Sequence, residues 1–312
     1  MMGKRIVVAL GGNAILDGDP SYAAQKTAVD QTAKALAQLV KQGHQLIVTH
    51  GNGPQVGNLL LQQLAADSKK NPALPIDTLG AMTQGSIGYW LQNSLQTALS
   101  DSNVQVAAIV TQTIVDEADS AFKSPSKPVG PFYTAEEAQT LMAQNPKLTY
   151  KEDAGRGWRR VVPSPLPIAI AEIPIIKQLV AAGTIVIAGG GGGIPVARRQ
   201  KKLVGLEGVI DKDFTAEKLA EQVEADELLI LTAVDHVYTG FGTPEQRQLT
   251  QVTAANVTDL IKSHEFAAGS MLPKMIAAKN FVTSRPNGRT VITSLDNLKY
   301  YGTGDMGTII ER

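Results

Sequence analysis

The stretch KRIVVALGGNAI, Lys4 to Ile15, decides the fold. Lys4–Leu10 is a compact β-branched run that halts at Gly11-Gly12, as a strand buried on both faces does when a turn stops it. Downstream, from Ala23 to Lys41, Val29, Ala33, Leu36 and Val40 recur at spacings of four, three and four. That is the stripe of an amphipathic helix. Gly43 supplies a C-terminal stop, and Gln45–Thr49 (QLIVT) reads as a second strand. Strand, helix and strand in close succession make a βαβ unit.

The alternation continues to the end of the chain. Strands are predicted at Val104–Thr111, Thr184–Ala188, Glu227–Thr232 and Thr290–Thr293. Helices are predicted at Ile173–Ala182, Ala216–Val223 and Lys274–Val282. Elements in this order specify an α/β fold, with a mainly parallel sheet and helices on both faces. One region breaks the rhythm, because eight of the sixteen prolines lie between Pro125 and Pro174. It reads as an inserted lid over about residues 116–165, or as a long surface excursion.

Composition excludes several classes. The chain has 312 residues, 43% of them hydrophobic, and 29 Lys+Arg balance 29 Asp+Glu. This is a globular mixture, not a disordered one. The length suits two domains or one large body with two lobes. Zero net charge argues against a nucleic-acid partner bound by phosphate neutralisation. With no cysteine, disulfides, thiolate metal sites and cysteine nucleophiles are excluded. The N-terminal apolar run is short and has no small-residue cleavage pattern, so a cytoplasmic location is expected. The longest charge-free apolar stretch, Thr184–Ala197, carries five glycines and is too short to span a membrane.

Three glycine-rich turns follow strand ends: Gly11-Gly12-Asn13, Gly51-Asn52-Gly53 and Gly189 to Gly193, which includes Gly190 and Gly191. In open parallel sheets, ligands bind at the carboxyl ends of strands. Glycine lets backbone N–H groups approach an anion closely, and a following helix N-terminus adds positive dipole. One such turn is weak evidence, whereas three at equivalent positions point to an anion site. The P-loop, a dinucleotide GxGxxG opening a helix and the protein-kinase motifs are absent, so any phosphate cradle is of another type.

Phosphoryl transfer needs positive charge aimed at the moving group. Lys212 lies between Asp211 and Asp213 in VIDKDFTAEKLAE, just ahead of a helix. Locally this reads either as a lysine held by a carboxylate or as a helix cap beside a solvated lysine. Lys274 follows Gly269-Ser270 and Pro273 at a helix start, where it is aimed at a phosphate or lies on the surface. Lys127 stands in the proline-rich region beside Gly130 and is unremarkable alone. The four histidines show no zinc spacing, and His50, beside the second turn, reads either as lining a site or as structural, with the structural reading favoured. Arg156, Arg159 and Arg160 form a basic cluster that is either a solvated face or an anion contact.

Longer motifs resemble a known family. VALGGNAI (Val8–Ile15), THGNGPQVGNLLLQ (Thr49–Gln62), MTQGSIGYWLQN (Met82–Asn93), KPVGPF, KEDAGRGWRRVVPSP, VIDKDFTAEKLAE and GSMLPK, in that order, resemble the carbamate kinases. These form a branch of the amino acid kinases. The resemblance implies a three-layer α/β/α fold and a homodimer. It implies Mg²⁺-dependent, reversible phosphoryl transfer between ATP and carbamate, giving ADP and carbamoyl phosphate. Fermentative arginine breakdown, run toward ATP, is the family's usual setting.

The resemblance also implies residue roles. Residues 1–210 would bind carbamate or carbamoyl phosphate, and residues 211–312 nucleotide. The inserted subdomain would cover the carbamoyl site with Lys127. Gly11, Gly12 and Asn13 would hold the transferred group, and Gly51, Asn52 and Gly53 would flank carbamate. Lys212 and Lys274 would neutralise the phosphoryl oxygens, with Asp213 orienting them. Many relatives in the wider family carry a lysine just before the first glycine turn. Here Ala9 and Leu10 stand there, which argues against an acetylglutamate or aspartate kinase.

Overall fold

A computed structural model describes residues 3–16, 18–153 and 155–312, except for the side chain of Asn13. The chain opens with β1 (Arg5–Leu10), α1 (Tyr22–Lys41) and β2 (Gln45–His50). Two helices follow, α2 (Gly53–Ala66) and α3 (Ile76–Ala98), then short strands β3 (Val106–Ala108) and β4 (Gln112–Val115). The proline-rich region holds β5 (Lys127–Tyr133), α4 (Ala135–Gln144), β6 (Thr149–Glu152) and β7 (Trp158–Val162). The chain returns through β8 (Pro167–Ile170), α5 (Ile173–Ala181), β9 (Ile185–Ile187), β10 (Ile194–Arg199) and β11 (Lys202–Gly205). Next come α6 (Lys212–Gln222), β12 (Glu227–Thr232), β13 (Val237–Thr239), β14 (Arg247–Leu249) and β15 (Gln251–Thr253). The chain closes with α7 (Ala254–Lys262), α8 (Met271–Ser284), β16 (Arg289–Ser294) and β17 (Thr308–Glu311).

The main sheet has eight strands in the order β15-β17-β16-β12-β1-β2-β9-β3. Its pairings are parallel except for β16 with β17. β1 lies in the middle, and its side chains alternate between two cores. Ile6, Val8 and Leu10 pack with α1 and α3, while Val7 and Ala9 pack with α6 and α8. A strand covered on both faces has no solvent side, which is why the run is apolar throughout. The result is the expected three-layer α/β/α sandwich.

The predicted strand Val104–Thr111 is shorter than its sequence suggests. Only Val106–Ala108 pairs with β9. At Thr111 the Gln84 side chain replaces a neighbouring strand: its Nε2 donates to the Thr111 carbonyl at 3.1 Å, and its Oε1 accepts the Thr111 N–H at 2.8 Å. The chain then enters a second sheet, ordered β11-β10-β4-β8. The helices predicted from Ala216 and Lys274 both start earlier, at Lys212 and Met271. This puts the two lysines in first turns. In α6 the Asp211 carboxylate caps the helix by accepting the Asp213 N–H.

Strands β5, β7 and β6 form a separate antiparallel sheet. It sits on the body through a third core, where Val129 and Val162 meet Val56 and Leu60 of α2 and Ile76 and Leu79 of α3. The approach is close: a Cβ at Gly57 would lie 3.3 Å from the Cα of Gly130.

Candidate active site

The carboxyl ends of the central strands carry the site. β1 ends at Leu10, and Gly11 packs so tightly that a Cβ there would lie 2.6 Å from the Leu231 carbonyl oxygen of β12. The chain then turns through Gly12–Ala14, where Gly12 is open, with nothing within 4 Å of a built Cβ. β2 ends at His50, and Asn52 leads into α2 with Pro54 in its first turn. The stem of Lys212 crosses Gly51, whose missing Cβ would lie 3.3 Å from the lysine Cδ.

These turns and the starts of α2, α6 and α8 line one cleft of about 250 Å³. Helix N-termini carry positive partial charge and N–H groups without helical partners, so three of them around one cavity favour anions. The three candidate lysines, Lys127, Lys212 and Lys274, line it too.

Asp213 organises two of these lysines. Lys212 Nζ donates to its Oδ1 at 2.6 Å, and Lys274 Nζ donates to its Oδ2 at 2.9 Å. The lysine side chains are 15% and 12% exposed and that of Asp213 is 4% exposed, so the pairing is enclosed rather than a surface contact. This decides against solvated lysines. Lys274 Nζ also donates to the Ser270 carbonyl at 3.2 Å. Burial alone would raise the Asp213 carboxyl, but the two ammonium groups outweigh it and bring the pKa down to about 2. The carboxylate therefore stays ionised and keeps both cations in place.

Lys127 enters from the first residue of β5 and donates to Asp211 Oδ2 at 2.6 Å. Sequence reading treated Asp211 only as a neighbour of Lys212 and a helix cap. Its second task joins residues far apart in the chain, which no local pattern reveals.

Lys212 and Lys274 line a second cleft as well, of about 350 Å³, with Gly11, Gly12, Thr232 and Asp296. Lys274 also borders a third of about 230 Å³, whose walls include Tyr238, Phe241 and Met271. The first two cavities thus share both cations, and the third, apolar and aromatic, joins them at Lys274. Gly11, Gly12, Lys212 and Lys274 are sequence candidates, whereas Thr232, Asp296, Tyr238, Phe241 and Met271 were not singled out from sequence.

The remaining candidates divide. Gly51, Asn52, Gly53 and Gly191 line the first cleft, whereas Gly190 does not. A Cβ on Gly190 would lie 2.3 Å from Nε2 of His50, so this glycine allows close packing. Likewise a Cβ on Gly191 would lie 2.2 Å from Asn52 Nδ2, which donates to Thr83 Oγ1 at 2.8 Å. The Gly51 N–H is used by the Leu10 carbonyl at 3.3 Å. The backbone of Asn13 lies in the first turn, while its side chain falls outside the described residues. His50 is buried, its Nδ1 is 2.9 Å from the Gly51 carbonyl, and burial depresses its pKa to about 4. It is a neutral structural group. Arg156 and Arg159 both lie 5.1 Å from the Phe132 ring centre and pair with Asp153, and Arg160 pairs with Glu207. The arginine cluster braces the inserted sheet and does not line the cleft.

Among the described residues, no three side chains of metal-binding type cluster. No helix there is long and apolar enough to cross a membrane.

Residues 4–294 match the amino acid kinase family. A carbamate kinase of Latilactobacillus sakei is 57% identical over all of both chains. Carbamate kinase 1 of Enterococcus faecium is 56% identical, again over all of both. Among solved structures, carbamate kinase from Giardia lamblia bound to AMP-PNP superposes with a TM-score of 0.91 at 41% identity, covering 99% of this chain and 98% of that one.

Proposed function

The chain belongs to the amino acid kinase family, among its carbamate kinases, and is a phosphotransferase; we propose that its cleft moves a phosphoryl group reversibly between carbamate and ATP with Mg²⁺. The observation that carries the residue roles is the sharing of Asp213 by Lys212 and Lys274 where the clefts meet.

In this reading carbamoyl phosphate or carbamate occupies the first cleft. Its carbamoyl end lies beside Gly51, Asn52 and Gly53, under Lys127. The phosphoryl group lies by Gly11, Gly12 and Asn13. Nucleotide phosphates enter the second cleft, and the base lies against Tyr238 and Phe241 in the third. Strand order supports a division into residues 1–210 and 211–312, because β1, β2, β9 and β3 fill one half of the main sheet and β12, β15, β16 and β17 the other. Gly190 acts by supporting His50, and Gly191 by supporting Asn52.

Toward ATP, a β-phosphate oxygen of ADP attacks phosphorus, and the bond from phosphorus to the carbamate oxygen breaks. In reverse, the carbamate oxygen attacks the γ-phosphorus. Both nucleophiles are already anionic, so no general base is required. The barrier is repulsion between anions. Lys212, Lys274 and the helix starts offset it, and preorganised charge of this kind is usually the largest catalytic contribution. Mg²⁺ would supply further positive charge to the phosphates when bound. Asp211 and Asp213 engage lysines, so the residues present suit a Mg²⁺ that would arrive with the nucleotide.

A homodimer formed at the sheet edge fits β3, the terminal strand, flanked by Tyr89 and Val110, which are 61% and 52% exposed. A cytoplasmic site fits the nucleotide substrate. Net flux toward ATP in arginine breakdown rests on the family resemblance alone. The deciding assay mixes purified protein with carbamoyl phosphate and MgADP and measures ATP. ATP formation there, and none with acetylglutamyl phosphate or aspartyl phosphate, is expected. The opposite preference would refute the substrate, and binding without turnover would make the protein a sensor.

A further inference from the structure

Besides its apolar seat on α2 and α3, the lid is fastened to the body through the five residues that precede α6. The Val209 N–H donates to the Pro163 carbonyl at 2.9 Å, and Arg160 pairs with Glu207 at 3.2 Å. Val209 packs on the core that holds Val129 and Val162. Lys127 and Asp211 close the series at 2.6 Å, with side chains 33% and 16% exposed. The next two residues are Lys212 and Asp213.

Asp211 serves both sides of this strap. Its Oδ1 accepts the Asp213 N–H at 3.0 Å and fixes the first turn of α6, while its Oδ2 accepts from Lys127. We propose that Asp211 is a positioning residue, which holds the Lys127 ammonium over the cleft and couples the lid to the helix start bearing Lys212 and Asp213. The proposal rests on the carbamate kinase reading.

The physical reason is the stem of Lys127. Lysine is a point charge on a flexible chain, so its location is set by its partner. Without one, a partly exposed ammonium spreads over many rotamers and spends little time above the substrate. The carboxylate also lowers the positive charge of the ligand-free cleft. Lys127, Lys212 and Lys274 face Asp211 and Asp213, so one excess positive charge remains to attract an anion without trapping it.

The test uses the full chain as wild type, Asp211→Asn, Lys127→Ala and the double variant. Asparagine caps a helix as well as aspartate does, so Asp211→Asn removes the ion pair and keeps the start of α6. Its melting temperature is expected to match wild type; if it drops, Asp211→Ser, which also caps, carries the same test. With carbamoyl phosphate and MgADP, kcat is expected to fall by about tenfold or more, the scale on which carboxylates that orient metal ligands act. The KM for ADP is expected to stay unchanged. In the Lys127→Ala background the same substitution is expected to change kcat by less than twofold. Wild-type kcat in Asp211→Asn, or effects that multiply in the double variant, would overturn the proposal.

Hydrogen exchange gives a readout independent of turnover. Asp211→Asn and Lys127→Ala are each expected to speed amide exchange in β5 and β7, and unchanged exchange in both would also overturn it. Exchange changes of this kind in the two variants, beside a wild type that makes no ATP, would remove the carbamate kinase reading and leave the coupling in place.

Discussion

Lys212 and Lys274, from the first turns of two different helices, hold opposite oxygens of one buried carboxylate, Asp213, at 2.6 and 2.9 Å. Like charges are brought together there by an anion that almost no solvent reaches. Removing that anion would leave two ammonium groups facing each other, so the carboxylate is as necessary to the pair as the lysines are to the phosphate.

Acid is expected to release this arrangement in a defined window. The Asp213 pKa of about 2 lies below its unfolded value of 3.8. Its contribution to stability is therefore complete above about pH 4 and is lost as pH falls through 2, with a magnitude of roughly 2 kcal/mol. Urea unfolding from pH 5 to pH 2 is expected to show a slope in wild type that Asp213→Asn lacks in part. Parallel curves would contradict the shift.

His50 opens a second window at milder pH. Burial is the main cause of its low pKa, the Gly51 carbonyl opposes it, and Lys212 adds to it, leaving about 4. A histidine depressed in the folded state stabilises fully above its unfolded value near 6.5 and loses that contribution as pH falls through 4. His50→Asn is expected to flatten the stability profile between those values. A profile identical to wild type would place the histidine in a solvated setting.

Gly191 and Gly80 are expected to respond oppositely to alanine. Gly191 has φ of +63°, and its Cβ would strike Asn52 at 2.2 Å. Gly191→Ala is expected to cost about 1–3 kcal/mol and to lower turnover by displacing Asn52. Gly80, inside α3, has open space around its Cβ. Gly80→Ala is expected to gain about 0.5–1 kcal/mol in helix stability. Thermal unfolding of both variants tests the packing around the third glycine turn.

Much of the sandwich was legible because its central strands and helices carry strong local patterns. The run from Lys4 to Leu10 is apolar on both faces, and α1 has a clean stripe. Between Gly53 and Ala98, however, no helix was read. The reason is visible in α3, whose Gly80, Gly85 and Gly88 interrupt the stripe, and Gly88 serves a close approach to Ala108 at 3.0 Å. The candidate lysines were named through motifs, but nothing in local spacing says that Lys127 meets Asp211. Spacing also gave Gly190 the same meaning as Gly12. A glycine needed for an open turn and one needed beneath a histidine ring look alike in sequence.

The most direct test of the account is the turnover of Lys212→Ala and Lys274→Ala, with carbamoyl phosphate and MgADP saturating. Each is expected to keep a folded, cooperative melt and to lose on the order of 10²-fold or more in kcat, as removal of one preorganised charge partner does. Wild-type turnover in either variant would contradict the claim that the two ammonium groups stabilise the migrating phosphoryl group.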